Sequence, residues 1–132
     1  MNRKYNDDVI YLCKLPAKQL LEKAYGKIVN DDVVLTKERQ RHIEERRKGD
    51  ADFVKIHLIE TIKDYDYIVD AEEGCVKFLK SFENSKNAVV VWLSLSRKEQ
   101  ANSVLTGERI NKRELNRLLK NKGVIDNRIK KL

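Results

Sequence analysis

The stretch from Asn87 to Leu95 (Asn-Ala-Val-Val-Val-Trp-Leu-Ser-Leu) holds the densest apolar content of the chain and constrains its fold more than any other. Six consecutive apolar residues run from Ala88 to Leu93, and three of them are valine. Such a run is too short for an independent helix, and β-branched side chains favour a strand that is covered on both faces. Turn-forming residues precede and follow it. We therefore expect a central β-strand beside which the rest of the chain pairs or packs.

Helix signals dominate the first half of the chain, and strand signals dominate the second half, on both sides of the central strand. Predicted helices run from Pro16 to Gly26 and over residues 37–48 and 51–63, and predicted strands cover residues 65–70, 75–83 and 101–110. Residues 9–13 and 28–35 fit either a short strand or extended chain. A last helix begins after Asn111 and ends at Gly123, followed by a basic tail that we expect to be mobile. The predicted class is α+β, with N-terminal helices packed on a roughly four-stranded antiparallel sheet and a C-terminal basic helix.

Length and composition indicate one compact domain of 132 residues, in which residues 1–27 form an N-terminal arm and helix and residues 28–132 form the rest. No run of 18 apolar residues occurs, so no membrane span is expected. Cys13 and Cys75 lack metal-ligand spacing and are expected to be free thiols, although a disulfide remains an alternative. The sequence contains no zinc spacing, phosphate-binding loop or dinucleotide fingerprint, so we predict neither a metal nor a cofactor.

The excess positive charge lies entirely in the last quarter of the chain. Residues 97–132 hold 11 Lys and Arg against 4 Asp and Glu, whereas residues 1–96 hold 17 of each sign. This distribution predicts a basic face that attracts a polyanion, or else a helix that lysines keep solvated.

The predicted helix over residues 37–48 has Ile43 as its only clear apolar residue, so packing alone does not explain its presence. Arg39, His42 and Arg46 lie at i, i+3 and i+7 and therefore share one face, with Arg47 beside them. This pattern is typical either of a solvated surface helix or of a proton-transfer group among phosphate-binding arginines. His57, between apolar neighbours of the next helix, is expected at the boundary of the core.

Three candidates lie on the predicted strands. Lys80 interrupts an apolar face of the strand over residues 75–83, so it lies at a strand end or points into a site. Lys77 lies on the opposite face of that strand. Trp92 belongs either to the core or to a base-stacking surface.

Several short motifs occur in an order that is similar to that of a known group. They are Val33-Val34-Leu35-Thr36, His42-Ile43-x-x-Arg46, Asp66-Tyr67-Ile68-Val69 and Asn102-Ser103-Val104-Leu105-Thr106. Together with the basic helix, they resemble the barnase–EndoU–colicin–RelE superfamily of small metal-independent ribonucleases, in particular its phage- and polymorphic-toxin branch. The resemblance covers residues 28–123.

The resemblance implies that His42, Arg46 and Thr106 are catalytic, with Ser103 a further donor. The group often has a second histidine where this chain has Arg47, which leaves the general acid open. Cleavage of RNA without metal needs a base, an acid and cations on the phosphorane. Accordingly we expect Lys80 to contribute to catalysis and the remaining candidates to bind substrate; these are Arg39, Arg47, Lys77, Ser103 and Trp92. Ser103 and Thr106 have opposite strand parity, so they share a site only if a bulge intervenes.

The resemblance further implies a toxin that cleaves tRNA or another structured RNA by 2′-hydroxyl attack, leaving a 2′,3′-cyclic phosphate. A cognate acidic immunity protein would neutralise it. Such a domain, expected to be monomeric, would act in the cytoplasm of a target cell after delivery as part of a larger protein. Two alternatives are a basic RNA-binding module without catalysis and a phage accessory domain that binds protein.

Overall fold

The computed structural model of the protein describes residues 5–46, 49–82, 87–96, 100–121 and 123–129. Its described residues form four helices and seven strands. In chain order these are β1 (Val9–Lys14), α1 (Lys18–Tyr25), β2 (Asp32–Thr36), α2 (Lys37–Arg46), α3 (Ala51–Lys63), β3 (Tyr67–Asp70), β4 (Cys75–Ser81), β5 (Asn87–Ser94), β6 (Asn102–Asn111), α4 (Lys112–Asn121) and β7 (Val124–Asn127).

All seven strands belong to one sheet, in the order β1-β2-β6-β5-β4-β3-β7. The predicted central strand, β5, lies in the middle with three strands on each side. Its side chains are buried on both faces, because helices cover both. The α+β class is confirmed.

The prediction of about four antiparallel strands is wrong in detail, because the sheet has seven strands and is mixed. β2 pairs with β6 in parallel through Val33 and Val34, whereas the other neighbours are antiparallel. Residues 9–13 and 28–35, for which the sequence allowed either a short strand or extended chain, contribute to β1 and β2. β7 lies in the predicted mobile tail, where it pairs with β3 and directs Ile125 against the core. Its four residues are too few to show a period among charged neighbours.

The main core lies on the sheet face that α3 covers. Leu21 of α1, Ile43 of α2 and Val54 of α3 are buried there against alternate residues of the strands, including Phe78 and Val91. The N-terminal segment therefore packs on the rest of the chain. The second core, on the opposite sheet face, is smaller. It consists of Val69, Leu79, Ala88, Val90 and Leu115, the last from α4.

α3 is covered less completely than its apolar circumference predicts. Ile56 is 74 % exposed and Ile59 is 42 % exposed, because both lie on the side turned away from the sheet. Asp50, which precedes α3 and is of a residue type that often caps helices, makes no side-chain capping bond; its Oδ1 instead lies 3.4 Å from Nε of Arg109.

Two other helices begin with a side-chain capping bond. The hydroxyl of Thr36 accepts from the N–H of Arg39 at 3.1 Å, and Oδ1 of Asn111 accepts from the N–H of Glu114 at 2.8 Å. α1 ends at Gly26, where φ is 96°. It begins at Lys18 rather than at Pro16, because Ala17 has a left-handed φ of 56°. Cys13 is buried, Cys75 is half-buried, and both are free thiols, as predicted.

Candidate functional site

Lys77, Trp92 and Thr106 form a row across the three adjacent strands β4, β5 and β6. Lys77 pairs with Trp92, and Trp92 pairs with Thr106, so the three side chains project from one sheet face. Nζ of Lys77 lies 4.2 Å from the centroid of the Trp92 ring. This is the face that carries the second core, opposite α3.

A β-bulge at Leu105 adds Ser103 to the same face. Ser103 pairs with Ser94, Val104 with Leu93 and Thr106 with Trp92, so Leu105 is the extra residue. In a regular strand, positions 103 and 106 would point to opposite faces. The bulge shifts the alternation by one residue and thereby brings both hydroxyls to one surface.

Lys77 is buried to an unusual degree for a lysine, with only 5 % of its surface exposed. Its ammonium is held against the negative π-face of Trp92, which is a favourable arrangement for a partly desolvated cation. Electrostatic interactions are stronger where water is excluded. A phosphate that approached this row would therefore interact with Lys77 more strongly than with a solvated surface lysine.

Glu108 lies on this face as well, although no sequence motif singles it out. It pairs with Val90, two residues along β5 from Trp92, and is half-buried. Among the described residues of β3 to β7, Glu108 is the one carboxylate that the strand alternation directs to this face. We refer to Lys77, Trp92, Ser103, Thr106 and Glu108 as the sheet-face site.

Lys80 does not belong to this site, contrary to the expectation from sequence. It pairs with Val89 of the main core and therefore points to the opposite sheet face. Its Nζ lies 3.1 Å from Oδ2 of Asp64 and 3.8 Å from Oδ1 of Asp66. The interruption of the apolar face that made Lys80 conspicuous is thus explained by two carboxylates next to α3.

α2 presents its polar residues to two sides. It follows β2 directly and contacts both β2 and β6. Ile43 is buried in the main core, and Glu44 accepts a 2.6 Å hydrogen bond from Lys55 of α3. His42 lies about 160° around the helix from Glu44, because successive residues are about 100° apart. His42 is therefore on the flank that turns away from α3.

Arg39 and Arg46 share this flank with His42, and both are exposed, whereas His42 is half-buried. Within the described part of the chain, no hydrogen bond, ion pair or ring contact joins His42 to the sheet-face site. The structure thus brings together the predicted residues of β4, β5 and β6, and places the α2 residues on a neighbouring element. Arg47 lies outside the described residues.

Asn102, the first residue of the Asn-Ser-x-x-Thr motif, has a structural role. It is fully buried, and its Nδ2 donates to the carbonyls of Asn30 at 2.7 Å and Asp32 at 2.9 Å. Its Oδ1 accepts from the N–H of Ser96 at 2.7 Å. One side-chain amide therefore joins the starts of β2 and β6 to the end of β5, which fixes the strand that carries Ser103 and Thr106.

α4 lies beside the sheet-face site. Leu118 and Leu119 pack with Trp92 on the second core, of which Leu115 is a member. The outer side of α4 forms a shallow depression of about 570 Å³. Five polar residues line it, namely Lys112, Arg113, Asn116, Arg117 and Lys120.

The second histidine, His57, is on the far face of the sheet. Its ring lies 4.7 Å from that of Phe53 and 4.0 Å from that of Phe82, centroid to centroid. Nδ1 of His57 is buried without a hydrogen bond, 3.8 Å from Oε1 of Glu60. This agrees with the predicted position of His57 at the boundary of the core.

Among the described residues, no group of three or more His, Cys, Asp and Glu side chains is placed to hold a metal ion. None of the helices in this part of the chain is long and apolar enough to cross a bilayer. Comparisons of the chain with protein-family models, with curated proteins and with solved structures found no match.

Proposed function

We propose that the protein is a metal-independent endoribonuclease that cleaves tRNA or another structured RNA. In the proposed reaction, the ribose 2′-oxygen attacks the adjacent phosphorus and the 5′-oxygen leaves, which yields a 2′,3′-cyclic phosphate. The observation that carries the proposal is the bulge of β6. It supports the proposal because it gathers two hydroxyls on the sheet face that also holds a desolvated lysine and a tryptophan.

The residue types of the sheet-face site match the needs of this reaction. Lys77 neutralises the charge that develops on the phosphorane, and Thr106 and Ser103 donate hydrogen bonds to its oxygens. Trp92 offers a partly exposed ring on which a base stacks.

The reaction needs one group that accepts a proton and one that donates a proton. The sequence suggested only His42 for these transfers, and Glu108 is a second candidate. The carboxylate of Glu108 accepts the proton of the 2′-hydroxyl, and His42 donates a proton to the leaving 5′-oxygen. Arg39 and Arg46, on the same flank of α2 as His42, bind the flanking phosphates.

The resemblance to the ribonuclease superfamily also suggests where the protein acts and what inhibits it. We propose a toxin domain that is delivered as part of a larger protein into the cytoplasm of a target cell. A cognate acidic immunity protein would neutralise it by covering the sheet-face site and the basic helix beside it. Electrostatic complementarity between such partners would speed their association.

The test is incubation of the protein with total tRNA in excess EDTA, with mapping of the RNA ends. We expect cleavage with cyclic phosphate ends, and losses of about 10²-fold or more in rate for Lys77→Gln, Glu108→Gln and His42→Ala. Lys80→Gln is the matched control for Lys77→Gln, since it removes a lysine from the other face of the same strand, and it should retain the parental rate. Intact RNA, or equal losses for the two lysine variants, would refute the mechanism.

A basic RNA-binding module without catalysis is the second candidate function. It is favoured by the absence of any hydrogen bond, ion pair or ring contact between His42 and the sheet-face site in the described residues. It predicts salt-dependent RNA binding in the same assay, with no new RNA ends.

A further inference from the structure

We propose that α4 is a docking helix for the phosphate backbone of double-helical RNA, and that it holds such RNA beside the sheet-face site. The proposal takes the nature of the polyanion from the proposed function, and it specifies which element binds RNA and which form of RNA it binds. The proposal rests on the two sides of α4, which differ in composition.

The inner side of α4 is apolar and the outer side is almost entirely cationic. Leu115, Leu118 and Leu119 pack on the second core. The outer side carries four cations and one amide, and none of its described residues is an exposed large apolar one. Glu114 is the one carboxylate of the helix and pairs with Arg117, so the four cations and this carboxylate sum to +3.

This composition argues for a phosphate backbone rather than a protein or a membrane. Protein interfaces concentrate their binding energy in buried aromatic and apolar anchors. A helix that lies on a membrane surface exposes an apolar face to the lipid. The outer side of α4 offers neither, so charge is its means of binding.

The spacing of the cations matches a double helix. Lys112 and Lys120 are eight residues apart, which is about 12 Å along a helix. Over that length, one strand of a duplex presents three to four phosphates. Arg113, Arg117 and Lys120 follow at i, i+4 and i+7 and so form one line along the helix.

Single strands are recognised differently. Proteins that bind single-stranded nucleic acid stack its bases on aromatic side chains, and stacking supplies much of the affinity. α4 has no aromatic residue. Trp92, which packs on the same second core as α4, is half-buried at the sheet-face site. We therefore assign the duplex to α4 and an unpaired base, at the edge of that duplex, to Trp92.

The experiment measures binding in the His42→Ala background, in which the proposed cleavage is slowed by about 10²-fold or more, so that binding is observed before RNA is cut. A 20-base-pair RNA duplex and a single strand of the same length are titrated between 50 and 300 mM salt. The test variant is Arg113→Gln/Arg117→Gln/Lys120→Gln. The control variant, Lys23→Gln/Lys27→Gln/Lys63→Gln, removes the same charge from exposed positions of α1, the loop after it and α3.

We expect tighter binding of the duplex than of the single strand. We also expect the plot of log K against log salt to be less steep for the test variant. Its negative slope should shrink in magnitude by about two to three, since each lost phosphate contact removes about 0.9. Its affinity at 100 mM salt should fall by at least tenfold, whereas the control variant should bind as the parent does. Circular dichroism of the test variant should match the parent, because all three side chains are exposed and none belongs to either core.

Equal effects of the two triple variants would overturn the proposal, because the binding would then follow net charge alone. Tighter binding of the single strand, or competition by polyglutamate as effective as that by duplex RNA, would also overturn it. Failure of the docking proposal is distinguishable from failure of the proposed function. If only the docking proposal fails, the parental protein still cleaves tRNA. If only the proposed nuclease activity fails, the protein still binds duplex RNA through α4.

Discussion

Asn102 and Ser103 are adjacent in β6, yet one stabilises the fold and the other belongs to the candidate site. Strand alternation explains the difference, because neighbouring side chains point to opposite faces. Asn102 points into the interior, where three backbone groups bond to its amide. Ser103 points to the sheet-face site and is half-buried. At the scale of single residues, a motif read as functional thus contains a structural residue at its first position.

Replacement of Asn102 by alanine should destabilise the protein by about 3 kcal/mol, since each buried backbone group left without a partner costs about 1–3 kcal/mol. Ser103→Ala, one residue away, should change the free energy of unfolding by less than about 1 kcal/mol. Urea denaturation of the two variants measures both values. A loss below about 1 kcal/mol for Asn102→Ala would show that the joint between β2, β5 and β6 does not depend on this amide.

Tyr65 should make stability depend on pH in the alkaline range. Its phenol is buried and donates a hydrogen bond to Asp126, and burial, followed by that bond, raises the pKa of Tyr65 to about 12. A pKa that is higher in the folded state contributes stability that is complete below the unfolded pKa of about 10 and is lost as the pH rises towards 12.

The difference in unfolding free energy between the parent and Tyr65→Phe should therefore shrink between pH 9 and pH 11.5. The raised pKa of Tyr65 corresponds to a change in the free energy of unfolding on the order of 2 kcal/mol. Comparison of the two proteins at each pH cancels other groups that titrate there, such as Tyr25, whose pKa is also raised by burial. A constant difference across this range would contradict the assignment.

At the scale of elements, the approach of α3 to the sheet depends on one residue without a side chain. A Cβ placed at Gly107 of β6 would lie 2.8 Å from Cγ1 of Val54 and 3.3 Å from Cδ1 of Leu58. Both partners are buried residues of α3. The helix therefore packs directly on the backbone of β6, which leaves no room for a methyl group.

Gly107→Ala should cost about 1–3 kcal/mol, as is typical of overpacked cores. The double variant with Val54→Ala should be more stable than the sum of the two single losses, because the shorter side chain makes room for the new methyl. Gly49→Ala is the matched control, since nothing lies within 4 Å of a Cβ there, and it should change stability by less than about 0.5 kcal/mol. Thermal denaturation of all four variants measures the coupling. Strictly additive losses would show that the clash is relieved elsewhere.

For the whole molecule, the sequence predicts the elements that have a strong period and misses those that depend on a partner. β4, β5 and β6 were predictable from long β-rich runs, and α4 from its cap and leucine stripe. β7 was not, because four residues in a charged tail become a strand only when β3 is beside them. The number of strands and the parallel β2–β6 pair are likewise properties of the assembled sheet.

The candidate site was predictable only in part, for the same reason. Parity along β4 separates Lys77 from Lys80, but only the placement of the helices shows which face of the sheet each one occupies. The bulge at Leu105 depends on the pairing with β5 and carries no signal in the local residues. Glu108 resembles any solvated glutamate on a strand until its register with Val90 is known.

The two cores differ in size, and this difference predicts the order in which the molecule opens. The main core gathers buried residues from α1, α2, α3 and six of the seven strands, whereas α4 contributes one buried side chain, Leu115, to the second core. Regions with few buried apolar contacts open with less free energy than the global transition.

We expect the amide hydrogens of α4 to exchange through a local opening whose free energy is well below the free energy of the opening that exposes those of β5. Leu115→Ala should lower protection in α4 by about 2 kcal/mol or more while leaving β5 close to the parent. Native-state hydrogen exchange measures both, and equal losses in α4 and β5 would show that the two cores open as one unit. Such an opening would also detach the basic helix from the sheet-face site, so RNA that binds both should raise the protection of α4 more than that of β5.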